Sequence, residues 1–257
     1  MIDRTEVPDS SASRFLSCAA CPTAKAAGWS VLGGSGLERL QCLKSTLVYK
    51  PGQCVYEAGK SCSALYCVQS GTILAERTAS DGSVRRVDLI EAGGILGWSD
   101  FFQSGTHQTR AVCKTPAVIC AIPATLVHQL VATHALLGVR LLHYAVRDIE
   151  RLEARALEFS HSSARQRLAR TLAQLAPQHG ENLPEGGLEL DLPVNRRDLA
   201  DLVAVRPETL SRAIRELEAD GIADFSGRIV RVRDPERLWR EFDALDAPGG
   251  APGGAPH

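Results

Sequence analysis

The chain has 257 residues, 44% of them apolar, and a formal net charge of −1. That is enough for two modest cores, but it gives no global basic field, so any DNA-binding role must rest on a local patch. The polar start MIDRTEVPDSSASRF has no signal-peptide core and no apolar run is long enough to span a bilayer, so the expected location is the cytoplasm, with no membrane partner. Eight cysteines in that setting argue against a disulfide framework.

Residues 1–36 read as a flexible arm rich in serine and glycine, interrupted by Cys18-Ala-Ala-Cys21-Pro22. Two cysteines with two residues between them can turn both sulfurs toward one metal or cluster. That spacing serves zinc, iron–sulfur ligation and dithiol redox chemistry alike, and it also arises as two incidental thiols. Leu37 to Leu43 suits a short helix. From Ser45 the pattern changes to short β segments, with turn signals at Pro51-Gly52, Ser70-Gly71, Asp81-Gly82 and Gly93-Gly94. That rhythm predicts an antiparallel barrel or jelly roll over 37–122. Cys54, Cys62 and Cys67 fall within it and read as packing residues, since free cysteine behaves as a small hydrophobe.

Residues 123–160 read as one long helix. Gly138, Leu142, Ala145, Ile149, Leu152, Ala156 and Phe159 alternate four and three apart, the period of a coiled-coil seam. Charged residues from Arg147 to Arg155 flank it, and a second row of Leu137, Leu141 and Tyr144 is set to pack on the β domain. The competing reading is a helix buried within one subunit. The seam predicts a homodimer.

Residues 161–244 form the second domain. The segment NRRDLADLVAVRPETLSRAIRELEADG reads as two short helices around a tight turn, and IADFSGRIVRV reads as a hairpin behind them. Leu210, Ile214 and Leu217 face inward, leaving Glu208, Thr209, Ser211, Arg212 and Arg215 outside. With Arg196, Arg197 and Arg206 they make the local basic patch that the composition demands. Such a face suits a major groove, where Arg bonds guanine bidentately and Glu accepts from cytosine. The bland alternative is a solvated helix with an Arg212–Glu216 pair. Arg228, Arg231 and Arg233 on the hairpin are candidate phosphate contacts. The chain closes on a Pro/Gly repeat over 245–257, expected to be disordered.

PETLSRAIRELEADG resembles the recognition helix of the CRP/FNR superfamily of bacterial transcription regulators. Glu208-x-x-Ser211-Arg212 is similar to the pattern of the FNR branch, whose dimers read a TTGAT-type half-site. The resemblance covers roughly Leu37 to Phe242 and departs at Ala204, where the family usually has glycine in the turn. It implies an α+β chain: an N-terminal β-roll of the cyclic-nucleotide-binding jelly-roll type, a long dimerisation helix and a C-terminal winged helix-turn-helix. It also implies three partners. These are double-stranded DNA, a second copy of the chain, and RNA polymerase, met by a solvent-facing loop from Asp100 to His107.

Members that bind cAMP carry a Glu and an Arg-Ser pair in a phosphate cassette. Here Trp98 stands for the Glu, Gln108 and Thr109 for Arg-Ser, and Arg110 lies one residue late, which argues against cAMP. AVICAIPATLVHQL resembles the segment whose cysteine completes an iron–sulfur ligand set. Cys18, Cys21 and Cys120 therefore align with ligand positions of a 4Fe–4S cluster that responds to oxygen. The family's third N-terminal cysteine would fall near Ala27; Cys42 is the nearest substitute, Cys113 a second candidate, and a non-thiolate ligand such as an Asp or His a third. Three other readings stay open. One is a haem or nitric-oxide sensor, with His107, His128, His134 and His143 as possible ligands. The others are a thiol switch or zinc site at Cys18 and Cys21, and a protein-binding signalling module. The chain has no nucleophile elbow, P-loop or H-E-x-x-H, so it is not expected to be an enzyme.

Overall fold

The computed structural model describes residues 17–242 except 104 and 185, and for 157–160 it describes the backbone alone. The first part of the expected arm and the Pro/Gly tail lie outside the described residues. The chain divides after Leu152 into two compact units.

The first unit opens with α1 (Pro22–Ala26), a 3-10 turn (Trp29–Leu32) and α2 (Gly33–Leu43). Strands β1 (Ser45–Tyr49), β2 (Cys54–Tyr56), β3 (Ala64–Ser70), β4 (Ile73–Thr78), β5 (Val84–Ile90) and β6 (Ile95–Leu96) follow. After α3 (Trp98–Gln103) come β7 (Arg110–Cys113), β8 (Ala117–Pro123), α4 (Ala124–Thr133) and α5 (Ala135–His161). The strands form two antiparallel sheets, ordered β1-β8-β3-β6 and β2-β7-β4-β5. Of the glycines read as turn signals, Gly52, Gly71, Gly82 and Gly93 take left-handed backbone. Gly71, at φ +90°, is also crowded: a Cβ there would stand 2.5 Å from the Pro116 carbonyl oxygen.

β3 and β8 are buried on both faces, which is why ALYCV and AVICAI run apolar without alternation. The strand period then splits their side chains. Tyr66, Val68, Ala117 and Ile119 join the core with Ile73, Ala111 and Cys113. Leu65, Cys67, Cys120 and Ile122 point the other way, into a core shared with Trp29, Leu40, Leu130, Leu137 and Leu141.

That second core overturns the flexible arm for the part of it that is described. Cys18, Cys21, Ala24, Ala27, Trp29 and Leu32 are all buried. Thr23 Oγ1 donates to the Val68 carbonyl at 3.1 Å, tying α1 to β3. Gly28, at φ +81°, lies so close to α5 that a Cβ would meet the Arg140 Cβ at 2.7 Å. The serines and glycines hid an apolar series that closes the open face of a sheet. The helix expected at Leu37 also begins earlier, at Gly33.

The single helix expected over 123–160 is two helices, α4 and α5, bent by 117° at His134. His134 leaves helical backbone (φ −132°, ψ 84°), and Thr133 Oγ1 donates back to the Gln129 carbonyl at 2.8 Å, closing the last turn of α4. The bend lets each helix bury its own apolar row. Leu126, Val127 and Leu130 of α4 are buried, and so are Leu137 and Leu141 of α5. Tyr144 Oη accepts from Ile95 N at 2.9 Å. The seam faces outward: Leu142, Ile149 and Leu152 are 61%, 49% and 51% exposed. Ala145 is half-buried and Ala156 exposed, while the Phe159 side chain lies outside the described residues. Among the described residues no single helix is long and apolar enough to cross a membrane.

The second unit holds α6 (Ala164–His179), β9 (Gly180–Asn182), β10 (Leu188–Asp191), α7 (Arg196–Leu202), α8 (Pro207–Ala219), β11 (Ala223–Ser226), β12 (Ile229–Val232) and α9 (Pro235–Arg240). Ser163 and Gln166 form a reciprocal capping box that starts α6. The sheet runs β11-β12-β10-β9. Leu168, Leu172, Leu190, Leu199, Leu217 and Val230 are fully buried beneath it. Arg165 of α6 holds the carboxylates of Asp220 and Glu241, anchoring the end of α8 and the segment after α9.

Candidate nucleic-acid interface and thiol site

The helix-turn-helix begins at Asn195, whose side chain accepts from Asp198 N at 2.9 Å and so caps α7. The turn runs through Val203, Ala204 and Val205. Ala204 has φ +55° and is the one non-glycine residue with positive φ among the described residues. The corner therefore demands the left-handed backbone that glycine adopts freely and that costs alanine about 1–2 kcal/mol. Arg167 Nε donates to the Val203 carbonyl at 3.0 Å and fixes the turn against α6.

Pro207 opens α8 at a position where its missing N–H costs nothing, and Glu208 in the first turn suits the helix dipole. Leu210, Ala213, Ile214 and Leu217 are buried, as the spacing predicted. Glu208, Ser211, Arg212 and Arg215 are exposed, with Arg206 just ahead of them and Thr209 half-buried. Two of these lie back on the helix: Ser211 Oγ donates to the Pro207 carbonyl (2.9 Å) and Arg215 Nε to the Ser211 carbonyl (3.2 Å). Arg196 sits over the Phe225 ring, 5.0 Å from its centroid, so the first strand of the wing holds it. The wing arginines are paired: Arg228 with Asp191 (3.5 Å), Arg231 with Glu189 (2.6 Å) and Arg233 with Asp224 (2.8 Å).

The second site is a small cavity in the first unit. Cys18, Cys21, Cys67 and Cys120 line it, with Thr23, Trp29, Leu40, Lys44 and Gln69. The three aligned cysteines are thus brought together, by α1 and the turn before it on one side and β8 on the other. Cys67 joins them because it is the cross-strand partner of Cys120 in the β3–β8 ladder. Cys67 is a buried core residue, as the packing reading had it, and its place on the cavity wall is additional to that. The signal was present, since direct partners in an antiparallel pair share one face, but the register is invisible in sequence. Cys42 is exposed and does not line the cavity, and Cys113 lies in the other core. Neither substitute is therefore in place as a fourth ligand. Cys54 Sγ donates to the Tyr56 carbonyl at 3.0 Å, and Cys62 Sγ to the carbonyls of Ala64 and Gly97.

Around the cavity, Lys44 Nζ stands 3.7 Å from Cys120 Sγ and Thr46 Oγ1 at 3.8 Å. Burial raises the Cys18 thiol above its ordinary value and Lys44 draws it down again. Burial pushes the Cys67 thiol up to about 12, against the Trp29 indole N–H. That N–H is buried and makes no hydrogen bond of ordinary geometry. Among the described residues no three His, Cys, Asp or Glu donors stand close enough to share one metal ion. Zinc–sulfur bonds of about 2.3 Å require sulfurs about 3.8 Å apart, whereas a cluster of four irons, each taking one thiolate, spreads its ligands wider. The donor chemistry fits an iron–sulfur group. The space between the sulfurs is small.

A second cavity is lined by Trp98, Thr109 and the carboxylates of Asp88, Glu91, Asp100 and Asp148. Its cation, Arg151, is held by Asp88 and Asp148 at 2.7 and 2.6 Å. Arg110 is bound to Glu57 and Glu76. The loop from Asp100 to His107 is not wholly solvent-facing. Asp100 and His107 are 5% and 2% exposed and bonded to each other at 3.1 Å, and His107 stacks on Tyr56. Phe102, between them, is 53% exposed. Of the other histidines, His128 stacks on Phe101 and His134 Nδ1 pairs with Thr133.

Two family models match the chain in sequence order: the cyclic nucleotide-binding domain over 46–134 and the Crp-like helix-turn-helix domain over 166–241. The chain is 28% identical to the transcriptional activator protein FnrL of Cereibacter sphaeroides over 91% of its own length and 95% of that protein's. It is 23% identical to the fumarate and nitrate reduction regulatory protein of Escherichia coli over 73% of its length and 74% of that one's. In fold it resembles FixK2 of Bradyrhizobium japonicum, with a TM-score of 0.66 at 21% identity, covering 77% of this chain and 97% of that one. These curated relatives are regulators rather than enzymes. From the β-roll, the turn-helix pair and its wing, and both matching domains, the chain belongs to the CRP/FNR superfamily of DNA-binding transcription regulators.

Proposed function

We propose that the chain is a homodimeric regulator of the FNR type, reading a TTGAT-like half-site and answering to oxygen or redox state through a 4Fe–4S cluster. The observation that carries this reading is the convergence of Cys18, Cys21 and Cys120 on one cavity. The likeness to FnrL across nearly the whole chain supports the same branch. The carboxylate-lined cavity beside Trp98 and Thr109 and the committed Arg110 argue against a cyclic phosphate as the effector.

When bound, the cluster supplies an oxygen-labile group. The chain's own residues do the rest. Lys44 and Thr46 steady the Cys120 sulfur, and α1 carries its two cysteines against β3. The exposed row of Leu142, Ile149 and Leu152 supports pairing with a second copy, which spaces two recognition helices about one DNA turn apart. In α8, Arg212 would meet guanine and Glu208 a base amino group, while Ser211, released from the Pro207 carbonyl, would meet a neighbouring base. RNA polymerase would be met by the exposed part of the α3 loop, around Phe102.

The test is an absorption spectrum of protein purified without oxygen, followed by admission of air. A broad visible band that bleaches in air is expected. A colourless protein after anaerobic reconstitution with iron and sulfide would overturn the cluster, and a sharp Soret band would replace it with haem.

A further inference from the structure

The iron–sulfur reading leaves a fourth ligand unassigned, and four candidates can be compared by position. Ala27 has no donor. Cys42 is exposed and off the cavity. Cys113 is buried in the opposite core, behind the sheet. Cys67 lines the same cavity as the other three and faces Cys120 directly across the β3–β8 ladder. Cross-strand partners stand about 5 Å apart at Cβ and share one face of the sheet, so the Cys67 and Cys120 thiols are presented on the same side.

A second observation points to the same residue. The Trp29 indole N–H is buried, 1% exposed by residue, without a hydrogen bond of ordinary geometry, and the group it acts on is the Cys67 sulfur. A buried N–H left without a partner is costly, and ligating sulfurs in clusters take such donors. The Trp29 indole and the Cys67 thiol meet at the wall of the cavity.

We propose that Cys67 is the fourth thiolate of the site formed by Cys18, Cys21 and Cys120, with the Trp29 N–H as hydrogen-bond donor to its sulfur. This rests on the iron–sulfur reading and names the residue that completes it. The site then draws two ligands from the N-terminal segment and two from neighbouring strands of one sheet, so its strand half is rigid before loading.

The experiment reconstitutes the full chain anaerobically with ferrous iron and sulfide. It counts iron and acid-labile sulfide per chain for wild type, Cys67→Ala, Cys42→Ala and Cys18→Ala. Wild type and Cys42→Ala should each hold about four irons. Cys67→Ala and Cys18→Ala should each hold less than half as much. Thermal unfolding of the iron-free variants separates ligand loss from misfolding, and Trp29→Phe gives a readout that needs no cysteine change. It should keep its iron and shift the cluster's reduction potential downward, because a lost N–H donor disfavours the more negative reduced state. Full iron in Cys67→Ala, with loss in Cys18→Ala, would overturn Cys67 and leave the cluster standing. No iron in any variant or in wild type would overturn both. An unchanged potential in Trp29→Phe would remove the indole from the site.

Discussion

At the scale of single residues, α8 divides its outward side chains into two kinds. Ser211 and Arg215 are folded onto the helix, whereas Glu208 and Arg212 project from its first turns. Replacing Arg212 by Ala should cost about 1–3 kcal/mol of specific binding and relax preference at one base position, measured by titration against a set of single-base operator variants. A uniform loss across all variants would instead make Arg212 a phosphate contact. Ala204 gives a second residue-level expectation. Its left-handed backbone costs about 1–2 kcal/mol, while glycine gives back about 0.5–1 through the unfolded chain. Ala204→Gly should therefore stabilise the second unit by about 0.5–1 kcal/mol, read from the urea midpoint. An unchanged midpoint would mean that the corner carries no strain. The sequence exposed the departure at Ala204 but not its backbone, because φ follows from the turn that the neighbouring helices impose. Cys67 was less legible still: its chemistry depends on which residue of β8 lies opposite.

At the scale of elements, periodicity located α8, its buried row and the exposed apolar row of α5, because those patterns repeat over several turns. It failed where two patterns abut. The apolar residues of α4 and α5 run on without a proline or glycine at the junction, so the 117° break at His134 left no mark in the sequence. The N-terminal segment failed for the opposite reason. Its elements are short and contain Gly28, Gly33 and Gly34, so composition outweighed the apolar residues between them. The seam itself is testable. In the proposed pairing Ile149→Glu would set two charges in an apolar contact and remove two side chains whose burial there is worth about 1.5–3 kcal/mol each. The dimer dissociation constant, measured by sedimentation equilibrium, should rise by more than about a hundredfold. An unchanged constant would place the dimer contact on another face.

At the scale of the whole molecule, the order of β-roll, helix and winged turn-helix was legible because each part has its own period and punctuation. The cavities were not, since they form where residues distant in sequence close around empty space. One consequence concerns traffic in the reverse direction. The cysteine cavity and the inner row of α5 share one core through Leu137 and Leu141, and Gly28 rests against Arg140 on the same helix. If whatever occupies the cavity biases the pairing of α5, thermodynamic linkage requires pairing to bias the occupant by the same factor. Under the proposed iron–sulfur reading, operator DNA that held two copies together should then slow the loss of the visible band in air. The gene it regulates would in this sense help to set how much oxygen the protein can withstand.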